Sequence, residues 1–202
     1  VTERHRALGV LGREGDLGSP GAVERNVTHH VFVDETKERG YLMVAAAVPP
    51  RQLAPTRRAL RSLTLPGQRR IHFKKERDSR RREIVSALLS SGIQATVFDA
   101  ALINQQLDAR EACVRAVFGS AVEAGAARLV FERDDSLATW DGNLLRELLR
   151  KREGCRVPVF ELLRAHEEPL LAVPDVLAWC WAKGEDWKLR VRPIVADVRK
   201  LP

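Results

Sequence analysis

Apolar and polar positions along this chain alternate between two periods. Residues 29–33 form a short β-rich run that ends on Asp34 and Glu35. A polar turn follows (Thr36, Lys37, Glu38, Arg39, Gly40), and then a nearly continuous apolar run over 41–48. Two such runs joined by a short charged loop with Gly predict an antiparallel hairpin. The unbroken second run predicts a strand buried on both faces. Pro49-Pro50 stops it. Leu53, Leu60 and Leu63 recur at roughly helical spacing with Arg57, Arg58 and Arg61 between them, which predicts an amphipathic helix ending before Pro66-Gly67. Residues 69–73 are expected as a short strand carrying His72.

Asp78 or Ser79 can cap the next helix, whose apolar positions are Ile84, Val85, Leu88 and Leu89 and which Gly92 closes. Residues 93–98 predict a strand ending at Asp99. The longest helix follows, roughly 104–123, with Leu107, Val114, Val117, Phe118 and Ala121 on one face and Gly125 at its end. A strand over 128–131 runs into Glu132, Asp134 and Asp135. Asp141 can cap a helix with a Leu144, Leu145, Leu148, Leu149 stripe. A strand over 157–162 and an apolar helix over about 170–183 complete the regular pattern. Pro174 either opens that last helix in its first turn or kinks it. Residues 187–200 alternate too weakly to assign. Residues 1–26 show no period and contain loop-like Gly-Arg-Glu-Gly-Asp and Gly-Ser-Pro-Gly, so they read as a loosely attached lead-in to one domain over 27–202.

Hairpin first, then alternating helix and strand, is the order of an α/β domain with a mixed sheet, antiparallel at the start and parallel later. The ribonuclease H architecture has this order. Composition agrees with a folded core: 45% of the 202 residues are hydrophobic and 30% charged. No apolar run approaches the ~20 residues that cross a bilayer. Cys113, Cys155 and Cys180 are widely spaced and form no Cys-x-x-Cys pair, so neither a disulfide framework nor a zinc site is expected. With no apolar leader in the first residues, a cytoplasmic protein with reduced thiols is the expectation.

Charge changes the picture more than composition does. The net charge is +7, but residues 51–82 hold twelve Lys or Arg against Glu76 and Asp78, a net of +10, which leaves −3 for the rest. A localised basic stretch is the footprint of a phosphate-backbone partner, and Lys74, Lys75, Arg77, Arg80, Arg81 and Arg82 are the expected nucleic-acid contacts. The same pattern also describes a solvated Arg-rich helix face. Only Phe73 is aromatic here, so base stacking is not suggested.

The motif series resembles the bacterial domain-of-unknown-function 3800 family of RNase H-like proteins. Its members open with a strand ending Asp-Glu-Ser-Gly, where this chain has Asp34-Glu35-Thr36. Ile71-His72-Phe73 matches a segment with His after the second strand. Leu129-Val130-Phe131-Glu132 matches a later strand ending in an acid. The stretch from Leu170 to Ala178, with Asp175, matches a C-terminal apolar helix containing Asp. The chain departs in Thr36, in the missing Gly after it, in Glu132 where Asp is usual, and in Pro174 before the helix acid. The likeness spans about 30–183 and implies an RNase H-like fold.

Phosphodiester cleavage needs an activated water and a stabilised leaving oxygen. Two Mg²⁺ or Mn²⁺ ions about 4 Å apart, held by converging carboxylates, supply both. Asp34, Glu132 and Asp175 are the candidate metal-holding and catalytic residues. Asp175 lies among Leu170, Leu171, Val173, Val176, Leu177, Trp179 and Trp181, where an unpaired carboxylate is costly to bury. An N-terminal helix acid favoured by the dipole is its other reading. Glu35, His72, Asp99, Asp134 and Glu168 rank second. Strand counting puts Asp99 at the end of the fourth strand, whereas the resemblance favours Glu132. Two functions follow: a divalent-metal-dependent nuclease, or a catalytically silent RNase H-like module that binds nucleic acid or a protein.

Overall fold

The computed structural model describes residues 29–152 and 156–202. The lead-in expected over 1–26 lies outside the described residues. The first hairpin pairs β1 (His30–Thr36) with β2 (Leu42–Val48) in antiparallel register, Asp34 opposite Val44. β1 continues through both carboxylates instead of ending on them. Its turn closes at Gly40, whose φ is +92° and where an added Cβ would fall 2.5 Å from Ala101 Cβ, which leaves no room for a side chain.

Helix α1 (Pro50–Leu63) follows, with Pro50 at its start, where a missing amide donor costs nothing. Residues 69–73 are not a strand. Ile71 and Phe73 are buried, which produces an alternation in sequence, but they plug the core from a loop and a 3-10 turn (Phe73–Lys75) without ladder partners. α2 (Asp78–Leu89) begins at Asp78 with no side-chain cap, and leads into β3 (Gln94–Asp99). α3 (Gln106–Glu123), β4 (Arg128–Glu132), α4 (Ala138–Arg150) and β5 (Val159–Leu163) follow. Asp141 lies inside the first turn of α4 and is 2% exposed, so it is no cap. A 3-10 turn (Pro169–Leu171) enters α5 (Ala172–Lys183), with Pro174 in its first turn. The unassigned tail is α6 (Glu185–Val191) and β6 (Val195–Lys200).

The sheet order is β5-β4-β1-β2-β3-β6. β1 lies centrally, antiparallel to β2 and parallel to β4. β5 is parallel to β4, and β6 is parallel to β3. Strand side chains alternate between faces. Phe32, Val44 and Val130 pack under α1, α2, α5 and α6, while Val31, Val33 and Leu129 pack under α3 and α4. α5 is apolar on nearly every side, and ten of its twelve residues are buried. No helix among the described residues is long and apolar enough to cross a membrane.

Candidate active site

Strand alternation decides which acids meet. Asp34 projects from β1 on the Phe32 side, toward α5. Glu132, the last residue of β4, shares that side with Val130. The parallel register pairs Val33 with Phe131, so Asp34 and Glu132 are next in line on adjacent strands. Asp175, in the first turn of α5, comes down from the helix layer. The three carboxylates line one cleft of about 270 Å³, with Arg70, His72 and Lys74 on its walls. The backbone of Phe73 opposes the rise in the Asp175 pKa. Asp34 Oδ1 accepts from the Glu35 amide at 2.8 Å.

The electrostatics are those of crowded like charges. Desolvation, then Glu132, Asp175 and Glu35, hold the Asp34 pKa well above the usual carboxylate range. Burial raises Asp175 and Glu132 as well, and Arg70 opposes both rises. Arg70 is the cleft's internal cation, with Nη1 3.4 Å from Glu132 Oε1. Burial, then Arg70 and Lys75, lower the His72 pKa, so its imidazole is neutral at pH 7. Among the described residues, no three Asp, Glu, His or Cys side chains stand together at metal-ligating spacing. The donor set nevertheless suits a hard divalent cation: all-oxygen, anionic, and carrying more negative charge than Arg70 offsets.

Of the second-rank residues, Asp99, Asp134 and Glu168 go elsewhere, while Glu35 also lines a neighbouring cavity of about 360 Å³ with Asp175 and Lys74. Glu35 projects to the opposite face, where Arg110 Nη1 reaches it at 2.8 Å and Lys37 at 3.7 Å. Asp99 is on β3, beyond β2 from β1, and its Oδ1 accepts from the Ala101 amide. The expected strand over 69–73 had shifted the count. Without it Glu132, not Asp99, ends the fourth strand. Asp134 accepts from both the amide and the hydroxyl of Ser136, which lower its pKa. Glu168 is buried and bidentate with Arg57 (2.8 and 2.7 Å), with Arg128 at 3.5 Å, a structural pair away from the cleft. His72 does face the cleft.

The basic segment divides in the same way. Lys74 and Lys75 border the cleft, and Lys74 also pairs with Glu38. Arg77 and Arg82 are exposed. Arg80 is held by Glu83, Glu76 and the Leu63 carbonyl. Arg81 donates to Asp78 and to the Phe73 and Lys74 carbonyls, and lies 4.3 Å over the Trp179 ring. Arg80 and Arg81 are therefore structural first.

Sequence reasoning missed Arg70, Arg110 and Asp141. Arg110 sits on the buried face of α3 with Val114, Val117 and Phe118 at helical spacing, and that position was the available signal; Leu107, expected on the same face, is exposed near the start of the helix. It is 1% exposed. It binds Asp141 through two bonds of 2.7 and 2.8 Å, Glu35 at 2.8 Å and the Tyr41 hydroxyl at 3.1 Å.

Sheet order and helix layers give an RNase H-like α/β fold. A chain of the PCNA:RNase HII complex from Archaeoglobus fulgidus superposes with a TM-score of 0.51 at 16% identity, over 82% of this chain and 77% of that one. Bst-RNase HIII in complex with Mn²⁺ matches with a TM-score of 0.48 at 14% identity, over 83% of this chain and 57% of that one. The first likeness shows the fold alone. No family model matches the chain, and no curated protein matches it in sequence.

Proposed function

We propose that the protein is a divalent-metal-dependent nuclease, with Asp34, Glu132 and Asp175 holding Mg²⁺ or Mn²⁺. The carrying observation is that these three acids, from two strands and a helix, line one cleft whose carboxyl pKa values are pushed up by burial and mutual repulsion. A bound divalent cation there would supply an activated water and a counter-charge for the leaving oxygen. Asp34 and Glu132 present their oxygens from rigid strands, and Asp175 from a helix fixed by burial. Neutral His72 can accept a proton at the cleft wall, and Lys74 and Lys75 draw the phosphate backbone toward it. The resemblance to the domain-of-unknown-function 3800 family is part of this proposal. So is nucleic acid as the partner, with DNA and RNA both open. The likeness to RNase HII lends support at the level of fold alone.

A second reading has its own observation. Glu132 is already paired with Arg70, and no ligand trio is preassembled among the described residues. A catalytically silent nucleic-acid-binding or protein-interaction module would look like this. Cleavage of labelled DNA, RNA and hybrid substrates with Mn²⁺, Mg²⁺ or EDTA separates the two. Metal-dependent products support the nuclease. No cleavage, together with no Mn²⁺ or Mg²⁺ shift in thermal melts, leaves the silent module.

A further inference from the structure

A second and larger cavity, about 480 Å³, lies beside the acid cleft, between the end of α1, the 64–71 loop and the 165–172 turn. That volume falls within the roughly 300–1,000 Å³ of ligand sites. Its position follows from the sheet. Glu132 at the end of β4 pairs with Leu163 at the end of β5. The turn that walls the cavity therefore starts one strand over, and adjacent strands are ~4.8 Å apart. Arg70 lines both cavities, with Nη1 3.4 Å from Glu132 Oε1 on the side of the acid cleft.

The lining is net cationic: one wall acid stands against three arginines, and of those only Arg70 has a carboxylate partner, Glu132. Arg61, Arg69 and Arg70 contribute guanidiniums, and Gln68 and His166 add polar groups. The acid on the wall is Glu167, whose carboxylate already accepts from the Arg164 amide at 2.7 Å. Elsewhere in the basic segment, Arg57, Arg80 and Arg81 are matched by Glu168, Glu83 and Asp78. Among the described residues, no carboxylate pairs with Arg61 or Arg69, and both are exposed. The dipole of α1 favours a cation at Arg61, in its last turn. It does not account for Arg69, which has no carboxylate partner among the described residues and stands at the same opening as Arg61, where like charges repel.

We infer that this cavity is a phosphate subsite that holds a nucleic-acid strand next to the carboxylate cleft. The inference rests on the nuclease reading for the role of that cleft. Arg61 and Arg69 contact the strand's phosphates, and Arg70, released from Glu132, contacts the phosphate nearest the carboxylates. The backbone cradle is thus at the 61–70 end of the basic segment, not at Arg80 and Arg81. Because phosphate is the recognised group, DNA and RNA bind alike here.

The test is fluorescence anisotropy of a labelled single-stranded 12-mer, as DNA and as RNA, titrated with salt in EDTA. The Arg61→Ala/Arg69→Ala double variant should bind at least tenfold more weakly at low salt. Its log–log salt slope should flatten by about 1.4, which is ~0.7 for each lost contact to a single strand. The control removes the same charge from exposed positions of α1 outside the cavity, Arg51→Ala/Arg58→Ala, and should lose less than about threefold. Equal losses in the two variants, no loss in the first, or a loss confined to one sugar type would each overturn the subsite. Cleavage plays no part in this readout. A protein that fails to cleave leaves the result standing, and one that cleaves while the first double variant binds normally sinks the subsite alone.

Discussion

Asp34 and Glu35 are sequence neighbours that face opposite helix layers. Behind Glu35, Arg110 joins Glu35, Asp141 and the Tyr41 hydroxyl in one buried network, and its charge is answered at 2.7–2.8 Å by two carboxylates. In front of Asp34, three carboxylates share a cleft, and one guanidinium, 3.4 Å from one of them, offsets them only in part. Both faces of β1 bring charge into the interior. On one the ions are matched by hydrogen bonds and serve the fold. On the other the carboxylates crowd one another: Arg70 pairs with Glu132, and Lys74 and Lys75 stand on the walls without a bond to any of the three. A perturbed carboxyl alone would not distinguish these cases, because structural networks perturb pKa too. The presence or absence of a dedicated partner does.

The largest expected effect comes from neutralising the unmatched face. Asp34→Asn should lower metal-dependent cleavage by orders of magnitude while nucleic-acid binding holds or tightens, since amide oxygens serve hard divalent cations poorly. Mn²⁺ should raise the melting temperature of the wild type and much less that of the variant. Equal cleavage by both proteins would remove Asp34 from the site.

The matched face should respond in stability instead. Arg110→Ala strands Asp141 and Glu35 in the α3–α4 layer, and breaking a buried pair costs roughly 3–5 kcal/mol. Urea titration should show that loss; a change below ~1 kcal/mol would mean the network is not compensating buried charge.

A smaller effect, of opposite sign, separates the faces by pH. The folded-state pKa of Asp34 is raised above its ordinary value of 3.8, so just above pH 3.8 the folded protein binds more protons than the unfolded chain. Stability from this group therefore falls as pH rises from 3.8 through the folded pKa. Asp34→Asn should remove that fall and raise stability at pH 7 relative to the wild type. Glu168, lowered by Arg57 against its own burial, behaves oppositely: its contribution is lost as pH falls through the folded pKa. Melts of wild type and Asp34→Asn across pH 4–8 that run parallel would contradict the crowded-acid description.

The smallest effects lie in the basic segment. Arg81→Ala should cost about 1 kcal/mol, through its carbonyl bonds and its stacking on Trp179. Exposed Arg82→Ala should stay within about 0.5 kcal/mol. Urea titrations giving the two variants the same stability would show that the Arg81 contacts contribute nothing.

Much of this arrangement could be read from pattern. The hairpin and the long α3 follow from period, and Asp34 from an acid at the end of an apolar run; Glu132 rests on the resemblance, because strand counting pointed to Asp99. What misled was burial without regular structure. Ile71 and Phe73 are core residues two apart, which looks like a strand, yet they belong to a loop. That extra strand moved Asp99 into the place of Glu132. β6 went unassigned because an edge strand with one buried residue, Val195, leaves little alternation to detect. The Arg110 network was illegible because its members lie 31 and 75 residues apart, and pairing at that separation leaves no local period.

The burial of α5 has a consequence for amide exchange. Opening α5, or the central strands β1 and β4 beneath it, exposes much of the core on that face, so their amides exchange only through near-global unfolding. Arg69 and Arg70 sit on a segment outside helix and strand, where opening costs little and exchange is fast. The anionic half of the cleft and its cationic flank thus run on different clocks. A strand of nucleic acid bound across both would show itself first as slowed exchange around residues 64–72, with α5 unchanged.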